Sequence, residues 1–224
     1  MKRYWKFMLL AVLIFGLVAC DSEEQEGLGE GETETTVAEE TVPEPVVVNW
    51  LNVNDLEVDA SNPQVEIYME GHGSIIVELF PEHAPITVEH FLDLVESGFY
   101  DGLTLHRIMT GFMMQGGCPY GQGIGGSGQN IVGEFLNNGI DNPIMHTPGV
   151  LSMARAQDMN GASSQFFIMH GNAPHLDGVH AAFGRVIEGM DVVDAVIASV
   201  TPIDNNGGLA PGDHPVIGHM RVVE

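Results

Sequence analysis

The chain has 224 residues, with 7 lysines and arginines against 31 aspartates and glutamates and a formal net charge of −24 at pH 7. Such a polyanion has almost nothing with which to neutralise phosphates, which excludes nucleic acid as a partner and excludes a basic membrane-surface patch. With 44% hydrophobic residues it is nevertheless no disordered acidic chain, and its length suits one domain of about 150 to 200 residues plus extensions.

The first segment carries Lys2, Arg3 and Lys6, after which no lysine occurs and the only cations are Arg107, Arg155, Arg185 and Arg221. An apolar run from Phe7 to Val18 follows, broken only by Gly16. It is shorter than the ~20 residues a helix needs to span a bilayer, so residues 1–19 read as an export signal rather than a permanent anchor. The run ends in Leu17-Val18-Ala19-Cys20, which resembles the lipobox of bacterial lipoproteins. That resemblance implies a diacylglycerol on Cys20 and a protein held by its acyl chains on the extracytoplasmic face of the bacterial cell membrane, since two chains anchor stably where one does not. Residues 20–49 hold ten acids between Asp21 and Glu44 and no cation, so like charges extend this stretch and it cannot bury enough apolar area to fold. It reads as an acidic flexible linker, followed by a lead-in over 50–62 and a folded domain over 63–224. With Cys20 lipidated, Cys118 has no partner, so no disulfide framework is expected.

From residue 63 the pattern is of short strands. Gln64–Met69 alternates, with Val65, Ile67 and Met69 on one face, and Ser74–Phe80 follows a Gly-His-Gly turn, which predicts a hairpin. Val88, Phe91, Leu92 and Val95 then recur at helical spacing, with Thr87 as N-cap and Gly98 as stop. Further strands are predicted over 105–109, 112–115, 150–154, 165–169, 182–186 and 216–223. A second helix over 190–198 offers Val192, Val193, Val196 and Ile197 as its buried face. The sum is a mainly β domain, a closed eight-stranded antiparallel barrel capped by two helices.

Two segments go further than periodicity. Leu105-His-Arg-Ile-Met-Thr-Gly-Phe-Met-Met-Gln-Gly-Gly117 and Ser163-Ser-Gln-Phe-Phe-Ile-Met169, with Leu176-Asp-Gly-Val-His180 and Phe183-Gly-Arg-Val186 after them, resemble the signature blocks of the cyclophilins, the peptidyl-prolyl cis/trans isomerases. The resemblance runs unbroken from about Gln64 to the C-terminus. It implies the same barrel-and-two-helix fold, a monomer, no cofactor, and action on proline-containing segments of unfolded or folding exported proteins.

The chemistry asks for few parts. Rotation about an X–Pro bond meets a barrier of about 18 to 20 kcal/mol because the nitrogen lone pair is delocalised into the carbonyl. In the twisted transition state that lone pair is localised and accepts a hydrogen bond, so a donor over the prolyl nitrogen binds the transition state preferentially. Arginine, always charged and rich in donors, suits the role, and neither a metal nor a nucleophile is needed. By resemblance, Arg107 is the catalytic arginine, with His106 beside it in the groove. Phe112, Met113, Phe167 and Leu176 would form the apolar pocket for the proline ring, with His180 at its edge. Gln115 would hold the substrate carbonyl and Arg107, while Ala154, Arg155 and Gln165 would line the groove for flanking residues. Taken singly, Phe112, Met113 and Phe167 could equally be core residues.

Several positions depart from the family pattern. Leu105 stands where phenylalanine is common, Thr110 where proline is, and Arg155 where asparagine is. His175 occupies a position that is tryptophan in ciclosporin-sensitive relatives, which implies weak ciclosporin binding with activity retained. Other motifs carry nothing. Gly121-x-Gly123-x-x-Gly126 matches a dinucleotide fingerprint as a string, but no amphipathic helix follows it, so a loop is expected. Gly126-Ser127-Gly128 lacks the last glycine of a nucleophile elbow, since Gln129 stands there. His170, His175 and His180 recur every five residues, which fits no metal spacing, and Cys118 reads as a buried structural thiol. The competing reading is a non-catalytic extracytoplasmic chaperone or scaffold that binds proline-containing segments in the same groove; an arginine at 107 inside an intact block favours the enzyme.

Overall fold

The computed structural model describes residues 47–223. The signal segment, Cys20 and the linker up to residue 46 lie outside the described residues. Eight strands and two helices follow in the order β1 (Gln64–Met69), β2 (Gly73–Leu79), α1 (Pro85–Glu96), β3 (Thr104–Met109), β4 (Met113–Cys118), β5 (Val150–Arg155), β6 (Ala162–Met169), β7 (Ala182–Glu188), α2 (Met190–Ala198) and β8 (Ile217–Val223). The strands form one antiparallel sheet in the order β3-β4-β6-β5-β7-β2-β1-β8. Strand number, antiparallel pairing and helix number agree with the sequence reading.

The expected closure does not. Between the end strands β3 and β8 there is no ladder among the described residues. They meet at one isolated bridge, Thr104–Val216, flanked by Ile217 N–H to the Leu103 carbonyl at 2.8 Å and Gly102 N–H to the Ile217 carbonyl at 2.8 Å. Pro215 sits where the ladder would continue and has no N–H to donate, so it only accepts, from Leu105 N–H at 2.9 Å. The sheet is a curled, open barrel, and the remaining edge of β3 pairs instead with the connection from α2 to β8, at the isolated Arg107–Gly208 bridge.

The sheet's concave side and both helices bury the main core, in which Phe91 on α1 packs against Phe183 at 5.1 Å and Phe166 at 5.7 Å between ring centroids. The helical spacing of Val88, Phe91 and Val95 is what brings these residues inward. Gly98, with φ at +70°, ends α1 as expected, and Phe99 N–H reaches the Leu94 carbonyl at 2.9 Å. The N-cap is a correction. Ala84 stands there without a side-chain bond, and Thr87 lies inside the first turn, fully buried. The free N–H groups are taken instead by the buried carboxylate of Glu134, which accepts from Ile86 N–H at 3.0 Å, Thr87 N–H at 2.7 Å and Thr87 Oγ1 at 2.7 Å. An anion at the positive end of the helix is also favoured by the helix dipole. On α2, Val193, Val196 and Ile197 are buried as predicted, while Val192 is only half-buried against the core.

A second cluster, including Val53, Phe80, Met113, Ile144, Val150, Phe167 and Met169, packs on the other side of the sheet. The lead-in contributes Val53 to it and is fastened by a parallel bridge from Leu51 to Ile144. Arg185 on β7, buried, completes the fastening. It pairs with Glu78 at 2.9 Å and donates to the carbonyls of Val53, Leu56 (2.8 Å) and Glu57 (3.0 Å).

Candidate active site

β3 and β4 are joined by a tight turn over 110–112, with Gly111 at φ +75° and Phe112 N–H bonded to the Met109 carbonyl at 3.0 Å. Their register sets Arg107 opposite Gln115. This pairing carries through to the side chains. Arg107 Nη1 donates to Gln115 Oε1 at 3.2 Å, Gln115 Nε2 donates to Gln165 Oε1 at 2.9 Å, and Gln165 Nε2 donates to the carbonyls of Gly123 at 2.9 Å and Gly125 at 2.7 Å. A polar relay thus runs from the guanidinium across β4 and β6 to the glycine-rich loop. Arg107 Nε donates to the Asn206 carbonyl at 2.7 Å, and the guanidinium carbon lies 5.8 Å from the Phe112 ring centre. Partial burial lowers the Arg107 pKa from its ordinary value and the nearby Asp204 charge opposes this, so the side chain stays a cation.

Beside this guanidinium lies a cavity of about 450 Å³. The residues expected from the sequence that line it are His106, Arg107, Phe112, Met113, Gln115, Ala154, Arg155, Phe167, Leu176 and His180. Met113 and Phe167 are buried members of the second cluster, so the apolar floor of the cavity is also a packed core. His180 stands edge-on to Phe167 at 5.8 Å, and its Nδ1–H donates to the Met153 carbonyl at 3.1 Å. Burial lowers the His180 pKa to about 4, against the raising effect of that bond and with help from Arg155, so the ring is neutral near pH 7. His106 is lowered to about 4 by burial, then by His214 and Arg107.

Two expected residues lie outside this cavity. Gln165 lines an adjoining cavity of about 650 Å³ that shares Gln115, Gly123, Ala154 and Arg155 with the first. His175 is exposed and stacks on Phe112, with centroids 5.7 Å apart and planes 28° from parallel. Arg155 lines both cavities, yet its guanidinium folds back to the carbonyls of Val179 at 3.0 Å and Ala156 at 3.0 Å and over the Phe135 ring.

Sequence reasoning missed Gln122 and Gly123 on the glycine-rich loop, and Asp204, Asn206 and Gly208 on the connection from α2 to β8, all of which line the first cavity. Asp204-Asn-Asn-Gly-Gly208 is a legible turn signature, but nothing local says that the turn lands on β3. The three histidines read from their spacing go separate ways: His170 accepts from Gly111 N–H and bonds Asp194, His175 stacks on Phe112, and His180 bonds Met153. Gly121 to Gly128 form loop, with no helix behind them. Cys118 is buried. Burial pushes its thiol up, but the N–H groups of Gln122, Gly125, Tyr120 and Gly123 outweigh this and bring it below its ordinary value.

The family model described as cyclophilin type peptidyl-prolyl cis-trans isomerase/CLD matches residues 64–219. Among curated relatives, the peptidyl-prolyl cis-trans isomerase B of Bacillus subtilis is 50% identical over 123 residues, covering 55% of this chain and 82% of its own. A peptidyl-prolyl cis-trans isomerase of Helicobacter pylori is 45% identical over 126 residues, covering 55% of this chain and 74% of its own. Among solved structures, a cyclophilin type peptidyl-prolyl cis-trans isomerase of Cryptosporidium parvum superposes with a TM-score of 0.64 at 30% identity, covering 73% of this chain and 98% of that one. The same protein in the presence of the dipeptide ala-pro gives 0.63 at 30% identity, over 72% of this chain and 99% of that one.

Proposed function

This chain belongs to the cyclophilin-type peptidyl-prolyl cis-trans isomerases, and on that premise we propose that Arg107 is the group that accelerates the rotation. The observation that carries this reading is the placement of one cationic donor array at the rim of a cavity whose floor is Met113 and Phe167. A proline ring seated on that floor sets its nitrogen near the rim. In the planar ground state that nitrogen accepts nothing, whereas in the twisted state it takes a hydrogen bond from the guanidinium, and the interaction is therefore made only where it lowers the barrier. Gln115 uses its oxygen on Arg107 and one amide hydrogen on Gln165, which leaves the second amide hydrogen for the substrate carbonyl. His180, neutral, closes the apolar wall without adding a charge.

The substrates proposed are proline-containing segments of exported proteins, and the site of action is the extracytoplasmic membrane surface with Cys20 as the lipid anchor. The signal-like first segment and the acidic spacer support that setting. Mass spectrometry of the mature N-terminus should find a diacylglycerol on Cys20; an unmodified N-terminus at another residue refutes the anchor. For the chemistry, proline isomerisation in a short peptide is compared between wild type and Arg107→Ala. Removing one preorganised donor lowers kcat/KM by on the order of 100-fold. Equal rates would remove Arg107 from the mechanism.

A further inference from the structure

β3 is an end strand, and the edge it leaves open is covered by the turn over 203–209. Arg107 and Gly208 form an isolated antiparallel bridge, Ile108 N–H donates to the Gly207 carbonyl at 2.8 Å, and Leu209 N–H donates to the His106 carbonyl at 3.3 Å. The backbone of Arg107 therefore has two neighbours, Gln115 on β4 and Gly208 on the turn. Each side also supplies one acceptor to the Arg107 side chain: Gln115 Oε1 for Nη1, and the Asn206 backbone carbonyl for Nε. Among the described residues these are the two oxygens that reach the guanidinium; its other hydrogen-bond contacts are the weakly accepting sulfurs of Met113 and Met109. A planar group fixed at Nε and at one Nη nitrogen has its rotation set, and its remaining N–H donors are left for the cavity.

The Asn206 carbonyl lies between two N–H groups that Asp204 holds. Asp204 Oδ1 accepts from Asn206 N–H at 2.8 Å and Gly208 N–H at 3.0 Å, and Ile203 N–H closes the turn on the Gly208 carbonyl at 2.8 Å. Gly207 is at φ +83°, where a side chain is strained, and a Cβ there would collide with Met109 Cγ and the Ile108 carbonyl. Buried Leu209 pins the far end. We propose that the 203–209 turn is a positioning element for the isomerase reaction, with Asp204 as the positioning residue that keeps the Asn206 carbonyl on Arg107 Nε and so aims the guanidinium at the prolyl nitrogen. This rests on the reading of Arg107 as the catalytic donor.

The test uses the full-length chain and five variants: Asp204→Ala, Asp204→Asn, Arg107→Ala, the Arg107→Ala/Asp204→Ala double variant and Gly207→Ala, with kcat and KM for a proline peptide and a thermal melt for each. Asp204→Ala lowers kcat about tenfold with KM changed less than about twofold, because the apolar floor is untouched while the donor is misaimed. Asp204→Asn recovers most of the loss, since an amide oxygen still accepts from both N–H groups. The double variant is no slower than Arg107→Ala alone. Gly207→Ala, which displaces the turn by another route, shows the same kcat loss.

A purely structural role for Asp204 would lower the melting temperature and leave kcat per folded molecule and the double-variant comparison unmoved, which overturns the proposal. So does an Asp204→Asn variant as slow as Asp204→Ala, which would assign the effect to charge. An impaired Arg107→Ala beside an unimpaired Asp204→Ala overturns the positioning role alone, while an unimpaired Arg107→Ala takes the catalytic reading down with it.

Discussion

Arg107 and Arg185 sit in comparable frames and do opposite things. Both guanidinium carbons lie just under 6 Å from an aromatic ring centre, Phe112 for one and Phe80 for the other. Arg185 is buried and surrounded by oxygen: the Glu78 carboxylate and three carbonyls of the lead-in accept from it. Arg107 is half-exposed, has two oxygen partners, neither of them a carboxylate, and for its remaining donors has only weakly accepting thioether sulfur beside a cavity with an apolar floor. A cation whose donors are all satisfied within the protein has nothing to offer a substrate, whereas one left short of acceptors beside a concave surface does. In a domain whose described residues hold four arginines, the count of acceptors around each separates the fastener, Arg185, from the catalyst we propose, Arg107.

That contrast breaks if the two arginines can be exchanged in their effects. Arg185→Met leaves Glu78, 1% exposed, as an uncompensated buried charge, and releases the carbonyls of the lead-in. The expected loss is about 3 to 5 kcal/mol of unfolding free energy in a denaturant titration, with kcat of the folded fraction unchanged. Arg107→Ala should do the reverse, dropping kcat/KM by on the order of 100-fold while its melting temperature stays within a few degrees of wild type. A stable Arg185→Met protein that had lost activity would put the lead-in in the catalytic machinery and erase the distinction.

Two histidines of the site, His106 buried and His180 half-buried, sharpen it in another way, through pH. His106 and His180 have folded pKa values lowered from 6.5 to about 4, so the unfolded chain binds more protons than the folded one between those values. Their contribution to stability is complete above pH 6.5 and is lost as pH falls towards 4. Thermal melts should therefore fall steadily through that window, and replacing His106 with Gln should flatten the slope there. A melt independent of pH between 6.5 and 4 contradicts the neutral, desolvated rings. Activity above pH 6.5 should be nearly flat, because no group that titrates there takes part in the proposed step.

Alternation and helical spacing made most elements of this fold legible. The hairpin of β1 and β2, the inward face of α1 and the extent of α2 follow from residues that are neighbours in sequence. Where the sequence misled, the deciding partner was distant. Thr87 looked like a cap, but the capping group is Glu134, 47 residues on, whose role no local pattern marks. β4 runs past Gln115 through Gly116 and Gly117, which have no side chain with which to alternate. The barrel's closure failed at Pro215, whose missing N–H could have been weighed from sequence alone. The core of the site was legible through the two cyclophilin-like blocks, one on the β3–β4 hairpin and the other on β6, which pairs with β4. The rest of its lining was not, because Gln122 and Asp204 reach the cavity from connections that carry turn chemistry and no hint of destination.

The smallest expected effect lies at the rim, where the contrast between satisfied and unsatisfied groups is weakest. His175 covers one side of Phe112 from an exposed position and does not line the cavity. An imidazole there offers little apolar area, whereas an indole would extend the wall that Phe112 and Leu176 begin and bring an N–H donor to its edge. We therefore expect wild type to bind ciclosporin weakly while isomerising peptides, and His175→Trp to bind it about tenfold more tightly, since an aromatic contact of 0.5 to about 1.5 kcal/mol amounts to that ratio at its upper end. The peptide kcat/KM should move by less than about threefold, because Arg107 and the floor of Met113 and Phe167 are not touched. Nanomolar inhibition of wild type would show that the rest of the cavity suffices for the inhibitor, and would make His175 a bystander on Phe112.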